Sequence, residues 1–428
     1  MRRDLSKISF IFYAVLAFPL SFAGLPIYVH SPDFYATDLG LSLSALGVIL
    51  LLLRSIDALQ DPFLGFLSDR YQHSRVVALY VGVVMLGIGF VMTFNPLIPS
   101  LWWFCISIFI CTTGFSLVTI NFHTLGGLWD VKEHTRTKVT ALREGFSLLG
   151  LLTASVLPAI LMLSFEKKDA FALLSFGYIP ILIIGFFIFL RWHKHAHITQ
   201  APQQDEATLP FKTLIKDKWT QIFFLIYGVS NFASAIPAIL VIFFIRDKLD
   251  AENLTGLFLF LYFLSGAAFM PVWQKVSAKF GKINAWGYSI IAAVITFIWA
   301  FFIGSGDIVS YGFICVLSGA ALGADLALPP SILADKIDRD QHQKSASKYF
   351  AILTFLTKSS FALATGLTLP ALALSGYIPG TDLTSHASLA LSVSYALIPC
   401  LLKIVCFWVL KYLSKISDTH LYPHISIK

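Results

Sequence analysis

Charge is scarce in this sequence. Only 13% of its 428 residues are Asp, Glu, Lys or Arg, against 57% hydrophobic, and a soluble fold of that length has too little interior to hide so much apolar surface. Cysteine is scarce too. The five thiols, Cys105, Cys111, Cys315, Cys400 and Cys406, lie in apolar stretches with no metal-ligand spacing and read as small core residues. No phosphate-binding loop, nucleophile-base arrangement or metal-ligand spacing occurs outside the apolar stretches, so neither an enzyme nor a resident metal or cofactor is expected. No removable leader is expected either: the opening Met-Arg-Arg-Asp-Leu-Ser-Lys is followed by an apolar run too long for a signal peptide and without a small-residue cleavage site, and it reads as a retained helix. Long polar stretches are nearly absent. The longest is 192–218, whose His193, His195 and His197 beside Lys194 read as a solvated basic flank, not a metal site.

What is present is apolar length. Mean hydropathy is +0.77, and stretches able to cross about 30 Å of hydrocarbon recur at 8–29, 43–66, 76–95, 99–127, 139–163, 170–191, 219–245, 254–273, 285–304, 310–334, 349–374 and 387–412. Twelve spans are therefore expected. Laid out alternately, they place 23 of the 31 Lys and Arg at the N-terminus, in the even-numbered loops and the C-terminal tail, and at the span ends that border them (Arg191 and Lys411). The opposite loops hold Lys167, Lys168, Arg246 and Lys248, and Arg54, Arg143, Lys358 and Lys403 fall within spans. This bias expects both termini in the cytoplasm of a bacterial inner membrane. It also accounts for the net charge of +7, so nucleic acid is not an expected partner.

The polar stretch divides the chain. An N-terminal six-helix bundle is expected over 1–191, a cytoplasmic linker over 192–218, a C-terminal bundle over 219–414 and a tail over 415–428. The halves echo one another: Pro62-Phe-Leu-Gly65-Phe-Leu-Ser68-Asp69-Arg70 returns in form as Pro271-Val-Trp273-Gln-Lys275-Val-Ser277-Ala-Lys279, 209 residues later, the duplication that secondary transporters show.

Gly65, Leu67, Asp69, Arg70 and Arg75 match the G-x-L-x-D-R-x-x-x-x-R loop of the major facilitator superfamily at the place where that superfamily carries it. Within it the chain resembles the glycoside-pentoside-hexuronide:cation symporters, the melibiose-permease group. Arg54-Ser-Ile-Asp57-Ala-Leu-Gln-Asp61-Pro62 resembles that family's R-x-x-D-x-x-x-D-P. Asn121-Phe-His123-Thr-Leu125-Gly126-Gly127-Leu-Trp-Asp130, Arg143-Glu-Gly145, Lys358 and Phe280-Gly281-Lys282 extend the likeness along nearly the whole chain. The resemblance implies two pseudo-symmetric six-helix bundles, alternating access and symport driven by H+ or Na+. It also implies solute and coupling roles for Arg143 and Lys358, and gating roles for Gly65, Asp69, Arg70 and Arg75.

The second span carries compatible chemistry. Arg54, Asp57 and Asp61 are spaced by three and four, so they project from one helical stripe about 60° wide. Carboxylates in hydrocarbon cost several kcal/mol or more, so they should face a cavity or countercharges. One arginine leaves net negative charge, suited to a coupling cation; a structural salt bridge between helices uses the same residues. Asp61-Pro62 should locally weaken the helix, and Pro329-Pro330 should break the tenth near Asp325. Asp325 is expected either to pair with Lys358 or to line the path. Asn121, His123, Asn231 and Tyr262 offer hydrogen-bonding groups, while Lys403 and Asp130 should snorkel or cap near helix ends.

Two departures separate the chain from its sugar-transporting relatives. The first span has Pro19-Leu-Ser21-Phe-Ala23-Gly24 where they carry an acid, and the fourth has Phe115-Ser116-Leu117-Val118 where they carry another. The expected protein is a monomeric cation-coupled symporter of a small polar solute, sugar-like by resemblance or anionic by the excess of Arg143 and Lys358, with membrane lipid around it. An exporter working by antiport and a lysolipid transporter are the alternatives.

Overall fold

The computed structural model describes residues 7–70, 74–127, 129, 133–198, 216–340, 346–381 and 383–421. Twelve helices among them are long and apolar enough to span a bilayer: α1 Ile8–Asp38, α2 Leu43–Arg70, α3 Arg75–Phe94, α4 Leu101–Gly127, α5 Glu133–Met162, α6 Lys167–His195, α7 Lys218–Lys248, α8 Thr255–Phe280, α9 Lys282–Phe301, α10 Ile308–Arg339, α11 Ala346–Leu374 and α12 Ser385–Ser414. The only β-type contact among the described residues pairs Trp129 with Ile198. The chain is an all-α, multi-pass membrane protein, as scarce charge and recurring apolar runs require: in lipid every backbone polar group must be satisfied within its own segment.

The chain forms two compact units, Met1–Asp205 with Asn253–Leu257, and Glu206–Glu252 with Phe258–Lys428. Within each unit, small residues bring backbones together, the usual source of helix association where lipid is as apolar as leucine. A Cβ on Gly114 of α4 would collide with the Leu86 backbone of α3, and one on Gly89 with the Cys111 backbone. In the second unit, Gly319 and Gly323 of α10 lie against the carbonyls of Tyr262 and Gly266 on α8. The second unit's core is built on Trp219, Phe223, Trp286, Leu328, Leu333 and Leu410.

The first helix runs nine residues past its expected end. Ser31, Asp33, Thr37 and Asp38 suggest a loop, yet they stay helical because their polarity is matched locally. Lys167 of α6 sits 2.8 Å from Asp33 and 3.3 Å from Asp38, and the Ser31 hydroxyl donates to the Ile27 carbonyl at 2.6 Å. Helix α1 ends in a π-helical turn, Phe34–Asp38, and α7 ends in another, Phe244–Lys248. The same wide hydrogen bond closes both, Leu41 N–H to Tyr35 O and Ala251 N–H to Ile245 O, each at 3.0 Å. Their spacing of about 210 residues repeats the offset read from the sequence motifs.

Two expectations about helix ends change. Pro329 and Pro330 lie inside an unbroken α10 where a break was expected; Pro62, expected only to weaken its helix, lies inside a continuous α2. Burial holds α10 together, since Ala324, Leu328, Ile332 and Leu333 are all packed in the core. At the C-terminus the helix continues to Leu421, into the expected tail. Most of the expected linker, 199–215, lies outside the described residues, and α6 extends into its beginning as far as His195.

Candidate functional site

Among the described residues, each unit holds a cluster of charged side chains well inside its apolar helices. In the first unit α2 presents Arg54 and Asp57 on one stripe, and both are only 4% exposed. Arg54 is held by α1. Pro32 has no N–H to return to the carbonyls one turn back; Ser31 takes that of Ile27 and the Arg54 Nη2 donates to that of Tyr28 at 3.1 Å. The guanidinium also sits over the Tyr28 ring, 5.2 Å from its centre. Asp57 is held by α4 and its own helix: Oδ1 accepts from Ser116 Oγ at 3.0 Å and from Gln60 Nε2 at 3.1 Å. The Thr113 hydroxyl donates to Gln60 Oε1 at 3.2 Å, which aims the amide nitrogen at the carboxylate. Asp61 follows one turn along, half-buried.

Ser116 belongs to the Phe115-Ser116-Leu117-Val118 segment of α4, so that segment meets Asp57 directly. Tyr28, Gln60, Thr113 and Ser116 were not singled out as site residues by sequence reasoning. Pro32 was the available signal for Tyr28, and the spacing of Thr113 and Ser116 by three was the signal for a polar stripe on α4.

At one end of the same helices, Arg75 is buried and its Nε donates to the Ser68 carbonyl at 3.2 Å and the Ser68 hydroxyl at 3.3 Å. Ser68 donates to Asn121 Oδ1 at 2.8 Å, and Asn121 Nδ2 donates to the Leu117 carbonyl at 2.8 Å. Both ends of the buried Asn121 amide are thus engaged within the unit, beside the loop motif. Gly65 faces open space. The side chains of Asp69 and Arg70, and all of Asp130, lie outside the described residues. Arg143 pairs with Glu144 at 2.5 Å and lies against the Tyr13 hydroxyl, with His123 nearby, its ring packed against Phe122.

The second cluster corrects the sequence reading of two residues. Asp325 of α10 pairs with Lys403 of α12 at 2.6 Å, not with Lys358. Lys403 does not snorkel: it is 7% exposed, and its ammonium also donates to Ser230 of α7 at 2.8 Å. Trp286 of α9 completes the set, its Nε1 donating to Asp325 Oδ1 at 2.9 Å. Four helices therefore meet on one carboxylate-ammonium pair. A single lysine in an otherwise apolar run, matched by a single acid on another helix, was the signal. Tyr262 lies near Asp325. Asn231 spends its Nδ2 on the Tyr227 carbonyl at 2.8 Å, and Lys358 is half-buried on α11, one residue from Thr357, which meets the Tyr227 hydroxyl at 2.9 Å.

Among the described residues, no group of three or more His, Cys, Asp or Glu could hold a metal ion. Asp57 and Asp61 stand one turn apart on α2.

Known proteins give the arrangement its context. The family described as MFS/sugar transport protein matches residues 10–417. A Bacillus subtilis (strain 168) protein named as the uncharacterized symporter YjmB is 24% identical over 412 residues, covering 90% of this chain and 87% of that one. A sodium-dependent lysophosphatidylcholine symporter of Danio rerio is 29% identical over 143 residues, covering 32% of this chain and 26% of that one. Among solved structures, a bacterial homologue of the human lysosomal transporter Spinster superposes with a TM-score of 0.73 at 12% identity, covering 96% of this chain and 98% of that one.

Proposed function

Because the chain belongs to the MFS/sugar transport protein family, and is thereby a secondary transporter and not an enzyme, we propose that it is a cation-coupled symporter of the melibiose-permease type. It would carry a small polar solute by alternating access, in a bacterial inner membrane with both termini in the cytoplasm. The observation that carries the coupling is Asp57, an almost fully buried carboxylate in a membrane-spanning helix that shares its stripe with Asp61 and one arginine. Two carboxylates against one guanidinium leave a deficit of one positive charge, which one H+ or Na+ makes good.

The division of labour follows. Asp57 and Asp61 take the cation, and Arg54, fixed by the Tyr28 carbonyl, supplies the constant countercharge. Arg143 and Lys358 meet the solute with His123, Asn231 and Tyr262. Asn121 joins Arg75, Gly65, Asp69 and Arg70 in the gate, on the strength of its bond to Ser68. Asp325 is held by Lys403 as a structural pair beside the solute path. The motif R-x-x-D-x-x-x-D-P over 54–62 supports the subfamily, and the two absent acids argue for a solute other than a galactoside.

A membrane potential of 100 mV supplies about 2.3 kcal/mol per charge, enough for one coupled cation to accumulate a neutral solute roughly fifty-fold. Uptake into proteoliposomes under imposed H+ or Na+ gradients, over sugars, organic acids, amino acids and siderophores, tests this reading. Gradient-driven accumulation should collapse in Asp57→Asn while solute exchange persists. Accumulation at the wild-type level in that variant would end the coupling proposal. A second reading, transport of a lysolipid, is favoured by the lysophosphatidylcholine relative; lysophosphatidylcholine in the same panel decides it.

A further inference from the structure

A concave pocket of about 300 Å³ opens in the first unit where α1 begins and α6 ends. Its wall is aromatic. Trp129 and Trp192, 1% and 2% exposed, meet edge to face with ring centres 5.0 Å apart, and Phe12 lines the pocket beside them. The Nε1 atoms of both indoles are buried without a hydrogen-bond partner among the described residues, an unusual state for buried N–H donors. Basic side chains complete the lining: Arg191, exposed, and His195, whose Nδ1 is 2.8 Å from the Arg191 carbonyl and donates to it in the tautomer that bond selects.

An apolar track leads away from this basic end. Ile184 and Phe187 are 59% and 60% exposed, and with Arg191 they fall at intervals of three and four, on one face of α6. On α1, Ile8 and Ile11 are exposed as well. One cation and a second group able to become one therefore sit beside an aromatic wall at the head of a lipid-facing stripe. We propose that this pocket binds the phosphodiester head group of an anionic phospholipid, with its acyl chains lying along α6 and α1. Basic pockets between helices near a membrane surface take such head groups, and indoles favour the same depth. A soluble anion has no use for the track, and a zwitterionic lipid brings an ammonium that Arg191 repels.

Native mass spectrometry of the detergent-purified full chain tests the proposal. Phosphatidylglycerol should be retained over phosphatidylcholine of identical acyl chains by at least about five-fold, the effect of one basic residue near a lipid surface. Arg191→Gln should remove most of that preference. Should Arg191→Gln lose its helical circular dichroism, His195→Gln takes its place. Equal retention of the two lipids, or an unchanged preference in a folded Arg191→Gln protein, overturns the site. Displacement of the lipid by glycerol 3-phosphate at equal concentration also overturns it, by assigning the pocket to a soluble anion.

Discussion

A carboxylate inside a membrane-spanning helix costs several kcal/mol unless something answers its charge, and the two units answer theirs differently. Asp325 has an ammonium at 2.6 Å and an indole N–H at 2.9 Å, a pair whose members are mutually satisfied. Asp57 accepts from a hydroxyl and an amide and shares one guanidinium, Arg54, with Asp61 on the same stripe. The first arrangement suits a fixed structural joint, and the second suits a group that exchanges a cation. Removing one partner of a buried pair strands the other, at about 3 kcal/mol. Lys403→Met should therefore lower the melting temperature in detergent clearly, and Lys403→Met combined with Asp325→Asn should recover most of the loss. Equal melting temperatures for the single and double variants would show that the pair does not hold the second unit together. Arg54, Asp57 and Asp61 were legible from spacing alone, because three charges on one helical stripe of an apolar span leave few alternatives. Lys403 was misplaced because its depth depends on where α12 ends: the helix continues to Leu421, so the lysine lies well inside it.

Helix boundaries were the least legible feature of the elements, and the reasons are local. Asp33 and Asp38 read as loop until Lys167, more than 120 residues away, is brought beside them. Pro32 reads as a breaker, yet it spares the Tyr28 carbonyl for Arg54. Pro32→Ala would supply an N–H that competes for that carbonyl. A hydrogen bond to a charged group contributes about 1.5 kcal/mol, so uptake should fall roughly ten-fold while the melting temperature stays at or above that of the wild type. Unchanged uptake would mean that the α1 contact to Arg54 does not serve transport.

The start of α7 makes a pH prediction. Asp217 caps the helix, accepting from the Thr220 amide at 3.0 Å and hydroxyl at 2.8 Å, with Lys336 at 3.2 Å. Partial burial pushes the Asp217 carboxyl upward, but the Thr220 bonds and Lys336 outweigh it and hold it below the usual carboxylate range. A depressed folded value means that the stabilisation is present above the unfolded value, about 3.9, and is lost as pH falls through the folded one. Asp217→Asn should thus melt below the wild type at pH 7 and approach it near pH 3. A difference that does not shrink in acid would refute the charged cap.

At the scale of the molecule, the duplication was legible because it is written twice, in motifs 209 residues apart and again in the matching ends of α1 and α7. The number of spans was legible because hydrocarbon thickness fixes helix length. Side chains such as Asn231, which turns its amide to its own helix, were not, because the choice between neighbour and cavity is made by packing. Orientation rests on the distribution of basic residues, and it is open to a direct test. The four loop residues Lys167, Lys168, Arg246 and Lys248 stand against 23 in the opposite loops, the termini and the span ends bordering them, a bias that insertion machinery reads by keeping Lys and Arg in the cytoplasm. Lys168 and Lys279 are both exposed and belong to opposite loop sets. Of the native thiols, Cys105 is half-buried and the other four are buried, so background labelling should be low. On intact cells a membrane-impermeant maleimide should label Lys168→Cys and leave Lys279→Cys unlabelled until the membrane is opened. The reverse pattern would place both termini outside the cell, and with them the end of the first unit where Arg191 lines its aromatic pocket.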